Sequence, residues 1–179
     1  MEEVSRKKDI QQWFNLTASG YIELHGDEQV QKIREILSIL PRVRGLVVDI
    51  GCGPGFLAKH GCFDALIGVD LSVELLRIAL SKARLHTGYV CADAEILPLR
   101  SSIASCAFAV TLLSVTPNPM RCIEEMLRVL RPGGLLVITC FRNDLPHVLQ
   151  ALLLRTHRVR VVDPGWGSEV ILLCRRTLA

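Results

Sequence analysis

Five short apolar runs, at 46–50, 65–69, 88–91, 104–111 and 135–139, alternate with stretches of helical periodicity. No other feature constrains the fold as much. The runs are rich in Val, Ile, Leu and Ala and barely alternate, which is the pattern of strands covered on both faces. Between them lie a short helical stretch after Gly55, one over 72–84 with Ser72 as cap and Glu74 in its first turn, and one over 119–131 stopped by Arg131-Pro132-Gly133-Gly134. Strand, helix, strand with right-handed crossovers gives a parallel sheet with helices on both faces. After a further helix over 144–154, the runs 158–162 and 169–174 flank Asp163-Pro164-Gly165-Trp166-Gly167-Ser168 and predict an antiparallel hairpin. The expected fold is α/β, doubly wound, with a mostly parallel seven-stranded sheet that ends in this hairpin. Upstream, two helices are expected, one over 6–18 and one from Asp27 as N-cap to Leu40, ended by Pro41. The 179 residues suffice for a single domain, with 1–45 as a helical cap on a 46–179 core.

Half of the residues are hydrophobic, yet no apolar run approaches the roughly 18 to 20 residues that span a bilayer. The N-terminal Met1-Glu2-Glu3-Val4-Ser5-Arg6-Lys7-Lys8-Asp9 is charged where a signal peptide would be apolar. A cytoplasmic protein without membrane insertion is expected. The apolar content is either a surplus that a partner covers or the ordinary composition of a buried parallel sheet. Seven cysteines, an odd number without any CxxC pair, argue against a disulfide framework and against a metal site. They fit a reducing compartment. A net charge of +3 permits a nucleic-acid partner without demanding one.

The first strand runs into Val47-Val48-Asp49-Ile50-Gly51-Cys52-Gly53-Pro54-Gly55. A glycine turn at the carboxyl end of such a strand lets a ligand approach the backbone closely. The spacing is GxGxG rather than the dinucleotide GxGxxG, and an acid precedes it, which disfavours a pyrophosphate on the helix N-terminus. A cationic or hydroxyl-bearing ligand suits it better. Asp70 ends the second run about 20 residues after the turn, where a carboxylate can grip both hydroxyls of a ribose, and Asp93 ends the third. Any one of these aspartates reads equally well as a turn or N-cap residue. Three at matching strand ends point to a ligand.

These stretches, together with Gly68-Val69-Asp70-Leu71-Ser72, Ala92-Asp93-Ala94-Glu95 and Arg131-Pro132-Gly133-Gly134, resemble the motifs of class I S-adenosylmethionine (AdoMet) dependent methyltransferases with a Rossmann-like core. The resemblance is to the group that includes ubiquinone/menaquinone and several tRNA and rRNA methyltransferases, and it covers about 13–140. It implies AdoMet as cofactor and methyl transfer as activity. It places Asp49 toward the amino end of the methionine moiety, with Gly51, Cys52 and Gly53 lining it. Asp70 would bind the ribose, Leu71 would lie on the adenine, and Asp93 with Ala94 would hold the adenine edge. Thr111 would sit near the sulfonium. The segment 13–29 resembles a capping helix and loop, which makes Tyr21 a contact or else a core aromatic.

A sulfonium methyl needs mainly an aligned nucleophile, so proximity and desolvation supply much of the rate. No catalytic residue is assigned. The sequence lacks a [DN]PPY after the fourth strand, reading Thr111-Leu112-Leu113-Ser114 instead, and Ala104-Ser105 replaces the family's common Phe-Asp. None of His25, His60, His86, His147 and His157 is placed in catalysis. The core carries few additions, which favours a macromolecular acceptor, RNA or a protein of the translation machinery, with a small activator subunit. Arg142, Arg155, Arg158, Arg160, Arg175 and Arg176 form either a basic patch for it or a solvated face. The alternatives are a small-molecule acceptor, which requires an apolar pocket beside the sulfonium, and a non-catalytic AdoMet-binding scaffold.

Overall fold

A computed structural model describes residues 2–156 and 158–177; His157 lies outside the described residues. The elements in chain order are α1 (Glu2–Ile39), β1 (Leu46–Ile50), α2 (Phe56–His60), β2 (Ala65–Asp70), α3 (Val73–Ser81), β3 (Thr87–Cys91), β4 (Ala104–Ala109), α4 (Pro119–Val129), β5 (Leu130–Phe141), α5 (Leu145–Leu153), β6 (Val159–Val162) and β7 (Glu169–Arg175). The seven strands form one sheet in the order β3-β2-β1-β4-β5-β7-β6. The first five are parallel, and β7 runs antiparallel to both β5 and β6. The expected architecture is the observed one, hairpin included.

Two apolar layers sandwich the sheet. Cys122, Ile123 and Met126 of α4 and Val148 and Leu152 of α5 pack with Val48, Ala107 and Leu136 on one face. Ile33 and Ile36 of α1 and Leu57 of α2 pack with Val47, Phe108 and Val137 on the other. Central β4 is buried along its whole length, as its unbroken apolar sequence requires. Sheet order reverses between β1 and β4, so the crevice at their carboxyl ends is where this topology leaves room for a ligand.

Three local expectations are corrected. The two N-terminal helices are one 38-residue helix, α1, with no cap at Asp27 and no loop within 13–29. Gly20 and Gly26 lie inside it, and contacts along its length hold it together against their poor propensity. The Arg-Pro-Gly-Gly stretch does not stop a helix reaching Arg131. α4 ends at Val129, Leu130 already pairs with Ala104, and the stretch lies in β5, where the register jumps between Ala104↔Leu130 and Cys106↔Leu135. Finally, β4 ends at Ala109, because Thr111 has left the extended region with φ 54°.

Candidate active site

At the carboxyl ends of β1, β2 and β4, under the first half of α1, lies a cavity. Its lining includes Tyr21, Gly51, Gly53, Asp70, Leu71, Asp93, Ala94 and Thr111. Asp49 and Cys52 line a smaller recess that shares Tyr21, Gly51 and Gly53 with it. All ten residues singled out from the sequence therefore converge.

The turn after β1 explains its glycines. Gly51, Gly53 and Gly55 all have positive φ, and a side chain at Gly51 would strike Leu112 at 2.8 Å. At Gly53 the space is open, so backbone is presented to whatever occupies the cavity. The Gly51 and Cys52 N–H groups donate to the Val69 carbonyl, which locks the turn to the end of β2. The Gly53 N–H donates to Asp70 Oδ2 and the Ser72 N–H to Asp70 Oδ1, each at 2.8 Å. One carboxylate thus orders two loops and still has lone pairs on the cavity side.

Asp49 is 4% exposed, and no described donor reaches its carboxylate. Burial first, and then the nearby Asp70 charge, push its pKa up to about 7. Asp70 is also raised by burial, partly offset by the backbone N–H groups it accepts from. The buried Asp49 carboxylate beside the half-buried Asp70 forms a place for a ligand cation. Cys52 is no nucleophile, since burial and the two acids raise its thiol well above the ordinary value.

Asp93 and Glu95 are held from α1. Lys7 Nζ sits 2.8 Å from Asp93 Oδ2 and 2.5 Å from Glu95 Oε2. Burial opposes the Lys7 charge, but its hydrogen bonds to Asp93 and Glu95 outweigh it and raise the pKa. Glu95 is 2% exposed and also accepts from Thr116 Oγ1 and the Asn118 N–H at 2.8 Å, which ties the loop after β3 to the loop after β4. Burial would raise its carboxyl; Lys7, Thr116 and Asn118 hold it below the ordinary value instead. One turn along α1, Gln11 Nε2 donates to the Leu71 carbonyl; another turn along, Asn15 Oδ1 accepts from Ser72 Oγ. Sequence reasoning missed these residues. The signal was there, because Lys7, Gln11 and Asn15 recur every four residues on one helical face, and apolar periodicity alone passes over it.

Thr111 is fixed by a second buried group. Its N–H donates to Thr139 Oγ1 at 2.8 Å and its hydroxyl to Glu169 at 3.2 Å. Glu169 is paired in turn with Lys32 Nζ at 2.5 Å, and both are buried. A β-branched residue at positive φ is strained, and these bonds over-determine it. Tyr21 lies close by, its phenol raised by burial and by Asp70, Glu28 and Glu169. The cavity also has an apolar wall, made of Ile10, Phe14, Leu112, Val115 and Pro117. No cluster of His, Cys, Asp and Glu among the described residues has the geometry of a metal site.

The Methyltransferase domain profile matches residues 48–138 of this chain. The chain belongs to that family. Among curated proteins, the chain is similar to a malonyl-[acyl-carrier protein] O-methyltransferase of Marinomonas sp., 30% identical over 83% of this chain and 57% of the relative. It is also similar to a ubiquinone biosynthesis O-methyltransferase of Coxiella burnetii, 30% identical over 80% of this chain and 63% of the relative. The chain thus spans less than two thirds of the length of these relatives. Among solved structures, it resembles a chain of the complex between the Haloferax volcanii Trm112 methyltransferase activator and a methyltransferase. There the TM-score is 0.75 at 15% identity, over 92% of this chain and 97% of the other, which is a likeness of fold.

Proposed function

We propose that this protein is an AdoMet-dependent O-methyltransferase whose acceptor is a small, largely apolar molecule bearing a hydroxyl or carboxyl group. The observation that carries the reading is the apolar wall of Ile10, Phe14, Leu112, Val115 and Pro117, which shares one cavity with Asp70 and Asp93. The O-methyl chemistry named for both curated relatives supports it. AdoMet supplies the electrophilic sulfonium methyl group. The fit of the residues rests on Asp49, a buried carboxylate with no donor among the described residues, which suits the cofactor's ammonium. In this reading Gly51, Cys52 and Gly53 line the methionine portion, and Asp70 takes the ribose hydroxyls with its free lone pairs. Leu71 covers the adenine, and Asp93 with Ala94 meets its edge. Tyr21 and Thr111 border the reacting centre, and α1 excludes water from it.

The second reading is the macromolecular acceptor with an activator subunit, and the fold likeness to a chain of an activator complex favours it. Incubation with labelled AdoMet and fractionated cell extract separates the two. Label is expected in the lipid and small-metabolite fraction. Label confined to RNA or protein would overturn the small-molecule reading. No helix of the described residues is long and apolar enough to cross a membrane. The free cysteines fit the reducing cytoplasm that we propose as its setting.

A further inference from the structure

A second concavity lies at the opposite edge of the sheet, where β5 and β6 begin and β7 ends. Its wall is the carboxyl end of α1, with Ile39, Leu40 and Pro41, and Leu135 and Leu173 lie against it. Register explains the rest of the lining. Leu135 is opposite Arg175, and Leu173 is opposite Arg160. Opposed residues share a sheet face, as do residues two apart on one strand, so Leu135, Arg175, Leu173 and Arg160 all point to the α1 side. Arg158 continues that parity at the mouth of β6. The result is an aliphatic floor rimmed by arginines.

These arginines differ from the others that the sequence groups with them. Arg142 is paired with Asp163, and Arg155 with Glu124. Arg158, Arg160 and Arg175 have no carboxylate partner among the described residues, and no carboxylate lines the groove. The whole edge shares this sign, since its connecting segments carry Arg42, Arg44, Arg84 and Arg100. The acid there, Asp64, is engaged by the Gly45 N–H. The acids Asp49, Asp70, Asp93 and Glu169 are at the other edge. Unneutralised arginines over aliphatic side chains call for a ligand with carboxylates and apolar groups on the same surface. No aromatic ring lines the groove, so it lacks the stacking platform that single-stranded nucleic acid uses. A concave floor also suits inserted side chains better than a flat bilayer.

We propose that this groove docks an acidic, amphipathic segment of a partner protein, at a site remote from the methyl-transfer cavity. Carboxylates of the segment meet Arg158, Arg160 and Arg175, while its apolar side chains lie on Leu135 and Leu173. The surface serves either acceptor class.

The test is selection of a random peptide library on the full chain, followed by polarisation assays with the enriched peptides, a uridylate oligonucleotide and phosphatidylcholine vesicles with and without phosphatidylglycerol. The expected peptides interleave Asp or Glu with Leu, Ile or Phe, and saturating AdoMet does not displace them. Arg158→Glu/Arg160→Glu weakens them by about tenfold or more, and the milder Arg158→Gln/Arg160→Gln by less. Both variants keep the wild-type melting temperature and AdoMet affinity, which shows that the fold and the cavity are intact. Absence of an acidic and apolar consensus overturns the proposal, as do peptides that bind the variants equally well. So does oligonucleotide or anionic-vesicle binding that is lost in the variants while no peptide binds.

Discussion

Asp49, one residue before the end of β1, is buried close to Asp70 with no donor among the described residues, so its carboxyl gives up its proton only near pH 7 instead of at the ordinary 3.8. Two expectations follow from the sign of this shift. Across that window the folded protein holds a proton that the unfolded chain has released, so the stability of the ligand-free protein falls as pH rises from about 4 to 7. AdoMet brings an ammonium that favours the ionised form, so its binding strengthens with pH over the same range, by about tenfold from pH 5.5 to 7, with proton release below pH 7. Calorimetry in buffers of different ionisation enthalpy measures both affinity and proton count. Asp49→Asn should flatten the dependence, and a flat wild-type profile would refute the assignment. At this scale the sequence was highly legible, since positive-φ glycines and strand-end acids leave marks that spacing reveals. Lys7, Glu95 and Lys32 were not legible, because a charged residue on an amphipathic helix or in a loop has a solvent-exposed explanation that costs nothing to assume.

α1 is the element on which sequence and structure part. Asp27 reads as the N-cap of a second helix, and Gly20 and Gly26 are poor helix formers. In the fold, Gly26 lies against Phe56, while Lys7, Gln11, Asn15 and Lys32 fasten the helix at successive turns. Tertiary contacts distant in sequence override the local signal, and no window of residues contains them. The Lys32 and Glu169 pair joins α1 to β7 across 137 residues, with Lys32 only 4% and Glu169 2% exposed. Lys32→Met should therefore cost about 3–5 kcal/mol, because it leaves a buried carboxylate unpaired. The double change Lys32→Met/Glu169→Met should recover most of that. Urea unfolding of the three proteins decides it: a single-variant loss below about 1 kcal/mol would show that the pair does not hold the helix.

Across the whole molecule, the connections sort by sign. One edge of the sheet gathers the aspartates around the cavity, and the other gathers arginines without a carboxylate partner among the described residues around an aliphatic groove. The alternation of strands and helices, the hairpin and the convergence of ten site residues were all legible, because each follows from short-range pattern plus handedness. The acceptor was not, since it depends on the shape left between α1 and the loop after β4, which no motif encodes. The central claim is that one AdoMet binds under α1 with Asp70 as its ribose anchor. Titration calorimetry of AdoMet into the wild-type chain and Asp70→Ala tests it most directly. The account predicts a stoichiometry of one for the wild type and a loss of about 2–3 kcal/mol, roughly 30- to 150-fold in affinity, for the variant. Equal affinity in the two proteins, or no binding to the wild type, would contradict it.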